Sequence, residues 1–386
     1  MAYLDHNATS PLRPQARAAM LAALEAGGNP SSVHVAGRKA RAAVEDARET
    51  VAMFAGAGPG DVIFTSGGTE ALALALGGAV AGATEAGGRI TRLLVSAIEH
   101  PAVLANAEAV ARRTGSVGLE IQPVTADGVL DLEALGRSLR EGNGRALVAV
   151  MAANNETGVI QPGEQVAALT REAGALLLVD AVQAAGKTDL KPLAAAADYL
   201  ALSAHKLGGP SGVGALIARD GAPLAPQVLG GGQEKRRRAG TENLSGITGF
   251  GAAAAAAAAA LNAEVPRLAA LRDRFEQGMM ALLPDLVIFG AAAPRLANTS
   301  LFAWAPMKAE TAVMALDLEG VMVSSGAACS SGKVARSHVL QAMGVPGDLA
   351  ASALRVSFGW NSGEAEVEAA LAAFDKLARR ARARAA

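Results

Sequence analysis

Short apolar runs recur along the first two thirds of the chain, and each is followed by a polar or glycine-rich turn and a helical stretch. They are DVIFTSGGTEALALAL (61–76), RLLVSAIEHPAVL (92–104), RALVAVMAANNETG (145–158), ALLLVDAVQAAG (175–186), DYLALSAHK (198–206) and GVGALIARD (212–220). Continuous Val, Ile and Leu runs are typical of parallel strands that are buried on both faces. Their alternation with helical segments predicts a doubly wound α/β domain with a mostly parallel sheet.

The pattern changes after about residue 245. A long helical region is predicted over roughly 248–282, broken near Pro266 and stopped by Pro284. From about residue 286, strands such as SLFAW and RVSFG mix with helices, which predicts a smaller α+β domain. We expect residues 16–255 to form the large domain, and residues 1–15 with 256–386 to form the small one.

The composition narrows the class of protein. Of 386 residues, 51% are hydrophobic, which allows a sizeable core, and the net charge of −1 gives no attraction to nucleic acid or to an anionic membrane. The alanine run at 251–260 is too short and too weakly hydrophobic to span a bilayer, and predicts a helix instead. The first residues contain a charge and prolines where a signal peptide would have an apolar segment. We therefore expect a cytoplasmic protein without nucleic-acid or membrane partners.

Candidate chemistry follows the strands, because ligands of open α/β sheets bind beyond the carboxyl ends of the strands. After the first run, Gly67, Gly68 and Thr69 open a helix and could cradle a phosphate. The local sequence alone favours an ordinary capping box with Thr69 as N-cap. His100 follows the second run and Asn155 the third, and each by itself could be merely structural.

The fourth and fifth runs end in charged residues. Asp180 directly follows four apolar residues, and a carboxylate buried there needs a cationic partner. Gln183 lies shortly beyond it. Lys206 ends the segment Ser203-Ala204-His205-Lys206 and is a Schiff-base candidate, although a surface lysine is a comparable interpretation. Together, an amine, an acid partner and an anion cradle are what a pyridoxal phosphate enzyme requires.

At this point the chain resembles the cysteine desulfurases, fold-type I pyridoxal phosphate enzymes of class V, in the subgroup that supplies sulfur for iron–sulfur clusters or related pathways. The resemblance extends nearly end to end. Its motifs are YLDHNAT (3–9), GNPSSVH (28–34), TSGGTEA (65–71), EHPAV (99–103), NNETG (154–158), VDAVQAAG (179–186), SAHKLGGPSGVGAL (203–216), GGGQEKRRRAGTEN (230–243), SSGAACSSG (324–332) and LRVSFG (354–359).

The resemblance implies a role for each candidate residue. Lys206 would carry pyridoxal 5'-phosphate covalently and move the α-proton, Asp180 would pair with the ring nitrogen, and His100 would stack on the ring and assist proton transfer. The resemblance also implies that Gln183 bonds the ring hydroxyl oxygen, that Asn155 lies beside it near the substrate carboxylate, and that Arg355 clamps that carboxylate. The phosphate would be held by Gly68, Thr69, Ser203, His205 and, from the neighbouring subunit of a homodimer, Thr241.

Cys329, the only cysteine in the chain, lies in the Ser- and Gly-rich motif SSGAACSSG. The resemblance implies that it attacks the sulfur of L-cysteine and keeps that sulfur as a persulfide while alanine is released. A mobile loop over about 324–335 would let it reach an acceptor protein, either a cluster scaffold or a sulfur relay. No resident metal is expected, although Cys329 could transiently ligate an iron–sulfur cluster.

Three alternatives remain open from the sequence. A selenocysteine lyase or another class V aminotransferase or lyase would share the lysine and the cofactor groups but would need no mobile cysteine. A non-catalytic scaffold protein would be expected to lack Lys206, Asp180 or Cys329, and all three are present. A nicotinamide-dependent dehydrogenase is disfavoured because no G-x-G-x-x-G follows a first strand.

Overall fold

The computed structural model describes residues 1–326 and 337–385. Its strands are β1 Ala2–Tyr3, β2 Val62–Thr65, β3 Ile90–Ser96, β4 Gly118–Gln122, β5 Arg145–Met151, β6 Leu176–Asp180, β7 Tyr199–Ser203, β8 Gly214–Ala218, β9 Val287–Ile288, β10 Thr299–Ala303, β11 Val321–Met322, β12 Ser324–Ser325 and β13 Ala353–Ser357. Its α-helices are α1 Pro14–Ala26, α2 Val35–Ala55, α3 Gly68–Glu85, α4 Pro101–Thr114, α5 Leu132–Glu141, α6 Gly163–Glu172, α7 Lys191–Ala196, α8 Leu244–Leu282, α9 Ala309–Leu318, α10 His338–Ala342, α11 Gly347–Ala350 and α12 Glu364–Ala385.

A seven-stranded sheet has the strand order β2-β8-β7-β6-β5-β3-β4. All six apolar runs predicted as strands contribute to it, which confirms the predicted α/β class. The prediction of a parallel strand is wrong for the last run, because β8 pairs antiparallel with both β2 and β7. It follows β7 without a crossover helix, and a short connection of this kind can join only antiparallel neighbours. The edge strand β4 was not predicted, because it is only partly buried.

Alternate side chains of the sheet strands enter two separate cores. Phe64 on β2 and Leu94 on β3 pack on the face covered by α2 and α8. Their neighbours Ile63, Leu93 and Val95 pack on the opposite face, against α3 and α4. This is the period of two that a strand imposes, and burial on both faces explains why the runs are continuously apolar.

Helix α8 continues through Pro266, so the predicted break there is wrong. A proline inside a helix removes one hydrogen bond, but tertiary packing holds both halves of α8. Its first half is buried in the large-sheet core through Phe250, and its second half is buried in a different core through Phe275. The predicted end is confirmed, because Leu283 is extended (φ −131°, ψ 86°) directly before Pro284.

Among the described residues, α8 is one helix whose length and composition would allow it to cross a membrane. Its alanine run nevertheless packs as a core helix does. Ala253, Ala254 and Ala257 are fully buried against the large sheet. A Cβ on Gly251 would lie 2.9 Å from Ala47 of α2, so glycine allows these two helices to approach closely.

The C-terminal part contains a four-stranded sheet of order β12-β13-β10-β9 and a β1–β11 pair. Strands β10 and β13 confirm the predicted SLFAW and RVSFG strands. The core beside them gathers the side chains of four phenylalanines, Phe275, Phe302, Phe358 and Phe374. The proposed boundary at residue 255 falls inside α8, and the division into two domains stays a prediction.

Candidate active site

A cavity of about 310 Å³ lies at the carboxyl ends of the sheet strands. Its lining includes ten of the residues that the sequence singled out, although they come from separate parts of the chain. They are Gly68, Thr69, His100, Asn155, Asp180, Gln183, Ser203, His205, Lys206 and Arg355. The structure therefore brings these candidates together, while the role assigned to each stays a prediction.

Asp180 is the last residue of β6 and lies at the floor of the cavity. Its Oδ1 accepts a hydrogen bond from the backbone N–H of Val182 at 3.0 Å. Burial raises the pKa of the carboxyl to about 6, and the Val182 bond and the nearby Lys206 only partly offset this rise. A cation placed against Asp180 from inside the cavity would stabilise its charged form.

Lys206 lies in a short 3₁₀ turn, Ala204–Leu207, directly after β7. Its Nζ donates to the carbonyl oxygens of Asn7 at 2.6 Å and Ala8 at 2.8 Å. The N-terminal arm therefore holds the lysine amine at the cavity, across a sequence separation of 199 residues. Asn7 belongs to the motif YLDHNAT, but the sequence predicted no role for it.

His100 is the N-cap of α4, where its Nδ1 accepts the N–H of Ala102 at 3.1 Å. A ring nitrogen that accepts carries no proton, so the neutral ring has its hydrogen on Nε2. Burial, Lys206 and His338 lower the pKa of His100 to about 4. The cavity is thus lined by a neutral imidazole with a defined tautomer.

The amino end of α3 faces the cavity through Gly68 and Thr69. The expectation of a capping box with Thr69 as N-cap is wrong: the N-cap is Gly67, and no side chain in the described part of the structure caps the helix. A Cβ on Gly68 would lie 2.8 Å from Val182, so only glycine fits there. The first backbone N–H groups of α3 are therefore available to an anion.

Ser203 and His205 line the same cavity as the start of α3. Ser203 is buried at the end of β7, and the Nδ1 of His205 lies 3.2 Å from the Thr9 hydroxyl. Burial and the charges of Lys206 and Lys187 lower the pKa of His205 to about 4. His205 is therefore neutral at pH 7 and contributes hydrogen bonding, without a formal charge.

Arg355 lies on β13, is 2% exposed, and reaches the opposite side of the cavity. Its guanidinium donates to the Asn155 carbonyl at 2.9 Å and to Asp5 Oδ1 at 2.7 Å. Its Nε has no hydrogen-bond partner among the described residues. A buried guanidinium that lines a cavity and is already held in place is suited to binding a small carboxylate.

Thr241 does not line the cavity. It is exposed, in the segment that leads into α8. Nearby, Arg238 forms an ion pair with Glu70 of α3 at 2.7 Å. The predicted contact of Thr241 with a neighbouring subunit stays a prediction.

Cys329 and most of the predicted loop lie outside the described residues. The described flanks on either side are close to the cavity. Ser324 of β12 pairs with Arg355 in the sheet, and the Ser337 hydroxyl donates to Glu156 Oε2 at 2.5 Å. Burial raises the pKa of Glu156 to about 7.

Besides Glu156, two buried ionisable residues beside the site were not predicted from the sequence. Glu99 is fully buried next to His100, and Lys187 is 9% exposed next to Gln183. Glu99 lies inside the motif EHPAV and Lys187 directly follows VDAVQAAG, so the available signal was a charged residue within or beside an apolar stretch. Among the described residues, no group of three or more His, Cys, Asp or Glu side chains could hold a metal ion.

Comparisons with known proteins agree with this architecture. The aminotransferase class V family model matches residues 2–370. A cysteine desulfurase of Cereibacter sphaeroides is 44% identical over 368 residues, covering 95% of this chain and 92% of that protein. An IscS-like cysteine desulfurase of Mycobacterium tuberculosis is 39% identical over 383 residues, covering 99% and 97%.

Solved structures agree as well. A NifS-like protein from Rickettsia africae superposes with a TM-score of 0.86 at 30% identity, covering 98% of this chain and 99% of that one. Another NifS-like protein has a TM-score of 0.89 at 33% identity, with the same coverage. The resemblance inferred from the motifs is thus confirmed. The chain belongs to the class V aminotransferases and, within them, to the cysteine desulfurase family.

Proposed function

We propose that this protein is a pyridoxal phosphate-dependent cysteine desulfurase, which converts L-cysteine to L-alanine and retains the sulfur as a persulfide on Cys329. One observation carries the proposal. A half-buried lysine amine, a buried carboxylate, a helix start that no described side chain caps and a buried arginine converge on one cavity at the carboxyl end of the sheet.

The residues present fit pyridoxal phosphate. The start of α3, with Ser203 and His205, suits its phosphate, and the buried carboxylate of Asp180, whose charge Lys206 offsets only in part, suits a cationic ring nitrogen. Lys206 presents the primary amine that an aldehyde requires. When bound, the cofactor supplies an electron-accepting ring that weakens bonds at the substrate α-carbon.

Asp180 would keep the ring nitrogen protonated, because an ion pair in a buried site favours the charged forms of both partners. Lys206 Nζ would move the proton at the substrate α-carbon, since its amine is held at the cavity by the Asn7 and Ala8 carbonyls. His100 would stack on the ring and exchange protons through Nε2, because its Nδ1 is engaged by Ala102. Gln183 would donate to the ring oxygen.

Arg355 would orient the substrate by binding its carboxylate, with Asn155 beside it. Asp5 and the Asn155 carbonyl hold the guanidinium in place before substrate arrives. Substrate binding would then require little rearrangement of the protein, because the Arg355 guanidinium is already oriented.

Sulfur transfer is balanced without an external oxidant or reductant. The Cys329 thiolate would form a bond to the sulfur of L-cysteine while the bond between that sulfur and Cβ breaks. The β-carbon gains a proton, alanine leaves, and the transferred sulfur stays on Cys329 as a persulfide. The described flanks, Ser324 and Ser337, place both ends of the segment that contains Cys329 near Arg355 and Glu156.

We further propose a cytoplasmic homodimer in which Thr241 reaches the phosphate of the neighbouring subunit. The persulfide would pass to an acceptor protein for iron–sulfur cluster or other sulfur-containing cofactor assembly. Residues 16–255 would form the cofactor-binding domain, with residues 1–15 and 256–386 as the smaller one.

The test is to incubate the holoenzyme with L-cysteine and to measure alanine and protein-bound persulfide by mass spectrometry. We expect wild type to form both. Cys329→Ala should keep the absorption band of the cofactor but form no persulfide, and Ser330→Ala serves as the matched control. If Cys329→Ala turned over L-cysteine at the wild-type rate, the sulfur-carrier role would be wrong.

A further inference from the structure

Lys187 is a buried lysine that the catalytic scheme does not use. It follows β6 in the chain, is 9% exposed, and does not line the cavity. Its Nζ donates to the backbone oxygen of Gln183 at 3.0 Å and to the side-chain Oε1 of Gln183 at 3.1 Å. Both contacts are with the residue that would bind the ring oxygen of the cofactor.

These contacts determine which way the Gln183 amide faces. A lysine ammonium has three donors and no acceptor, so the amide must turn its oxygen toward Lys187. The amide nitrogen then points the other way, where Nε2 donates to the Asn7 carbonyl at 2.9 Å. Because Gln183 also lines the cavity, the second N–H of the same amide would be the donor to a group bound there.

The same chain of contacts reaches the catalytic amine. The Asn7 carbonyl that accepts from Gln183 also accepts from Lys206 Nζ at 2.6 Å. Linked hydrogen bonds polarise one another, so a cation at Lys187 makes the Gln183 N–H a stronger donor. Lys187 thus contacts the cavity only through Gln183, and its charge changes the electrostatic potential at the cavity wall.

Burying an ammonium here is costly, which argues against a purely space-filling role. Burial, Lys206 and Arg355 together lower the pKa of Lys187 to about 7. An apolar side chain of similar size would fill the same volume without this penalty. A negatively charged ring oxygen in the cavity would favour the ammonium form again.

We propose that Lys187 is a positioning residue, which fixes the Gln183 side-chain amide so that its N–H faces the ring oxygen of the bound cofactor. This inference rests on the proposed function. Without Lys187 the amide loses one of its two orienting contacts and its polarisation, so the ring oxygen anion is less stabilised. The proton bound at or beside that oxygen is then lost at a higher pH, so the corresponding pKa rises.

The experiment is a pH titration of the absorption band of the cofactor in the reconstituted holoenzyme. For Lys187→Met we expect the midpoint to rise by about 0.5–1 pH unit, because a stabilising donor and a nearby cation are lost. Lys191→Met removes an exposed lysine four residues later and should leave the midpoint unchanged. The other titratable or charged residues that line the cavity are unaltered in every variant, so their contributions to the midpoint cancel. They are Asp180, His100, His205, Lys206 and Arg355.

A double-mutant cycle tests whether Lys187 acts through Gln183. Gln183→Leu should raise the midpoint by itself, and adding Lys187→Met should then change it little. Lys187→Gln keeps an N–H donor without the charge and should shift the midpoint less than Lys187→Met. Should Lys187→Met not fold, Lys187→Gln in the wild-type and Gln183→Leu backgrounds completes the same cycle.

Two results would overturn the inference: no midpoint shift beyond that of Lys191→Met, or equal shifts with and without Gln183. Failure of the proposed function is distinguishable from both. In that case wild type would bind no pyridoxal phosphate and would show no absorption band to titrate.

Discussion

The surroundings of the cavity floor and the aromatic core of the C-terminal part are both buried but differ in chemistry. At the floor and directly behind it, Asp180, Glu99 and Lys187 are ionisable groups whose pKa values burial shifts toward their neutral forms. In the aromatic core, the Phe275 ring lies 5.7 Å from the Phe302 ring and 6.0 Å from the Phe374 ring, centroid to centroid. Burial opposes folding in the first region and drives it in the second.

The difference between the two regions separates residues that serve function from residues that serve stability. Buried ionisable groups with perturbed pKa values gather at sites that bind or transform ligands, whereas apolar contacts serve stability. Substitutions in the two regions should therefore separate activity from stability, and four predictions test that separation.

The largest effect is expected for Lys206→Ala, which removes the amine that would hold the cofactor and move the α-proton. Alanine formation from L-cysteine should fall by ~10³-fold or more, since proton transfer and covalent catalysis are both lost. Mass spectrometry after borohydride reduction should detect no cofactor attached to the chain. Lys308→Ala is the control, and attachment of the cofactor to Lys206→Ala would contradict the assignment.

Phe275→Ala should act on stability alone. Removing a fully buried ring typically costs about 3–5 kcal/mol of unfolding free energy, measured by urea denaturation. The cofactor absorption band of the folded fraction should be unchanged, because Phe275 lies outside the cavity lining. Met280→Ala, a half-exposed site on the same helix, is the matched control, and an equal loss there would refute the contrast.

Asp180→Asn keeps the shape of the cavity floor but removes the charge that would pair with the ring nitrogen. Turnover should fall by about 10²-fold, the scale seen when one preorganised electrostatic contact is removed. The free energy of unfolding should hold or rise, because an uncompensated buried carboxylate is gone. Steady-state alanine production and urea denaturation measure the two effects, with Asp189→Asn as the exposed control. Undiminished turnover would count against the pairing.

The smallest effect is expected for Glu99→Gln, which imitates the protonated carboxyl. Glu99 Oε1 accepts the Met151 N–H at 2.7 Å, and Oε2 has no hydrogen-bond partner among the described residues. Burial, with Asp180 nearby, raises the pKa of Glu99 well above 4.5. Its contribution to stability is therefore complete below pH 4.5 and is lost as the pH rises toward the folded-state pKa.

Urea denaturation at pH 5 and pH 8 measures this difference. Wild type should lose stability relative to Glu99→Gln as the pH rises, by up to ~1.4 kcal/mol per pH unit. Glu310→Gln, an exposed site, should show no such divergence. Parallel pH profiles for wild type and Glu99→Gln would show that the pKa of Glu99 is not raised in the folded protein.

Much of the fold follows from local pattern. The six apolar runs became strands because a run buried on both faces is recognisable without knowledge of its neighbours. Local rules failed at Pro266, at β8 and at Thr69. Helix α8 continues through Pro266 because Phe250 and Phe275 hold its two halves in separate cores. The direction of β8 and the identity of the α3 N-cap likewise depended on distant packing, as Gly68 against Val182 illustrates.

The sequence by itself determined the fold class, the family and the residue types at the carboxyl ends of the strands, because each is encoded in contiguous motifs. Only the tertiary structure decided which groups meet: Lys206 with the Asn7 carbonyl, and Arg355 with Asp5, 350 residues away. It also decided the pKa directions of Glu99 and Lys187, since these depend on exclusion from water and on charges contributed by other segments. Burial and long-range charge are properties of the packed chain, and no local pattern contains them.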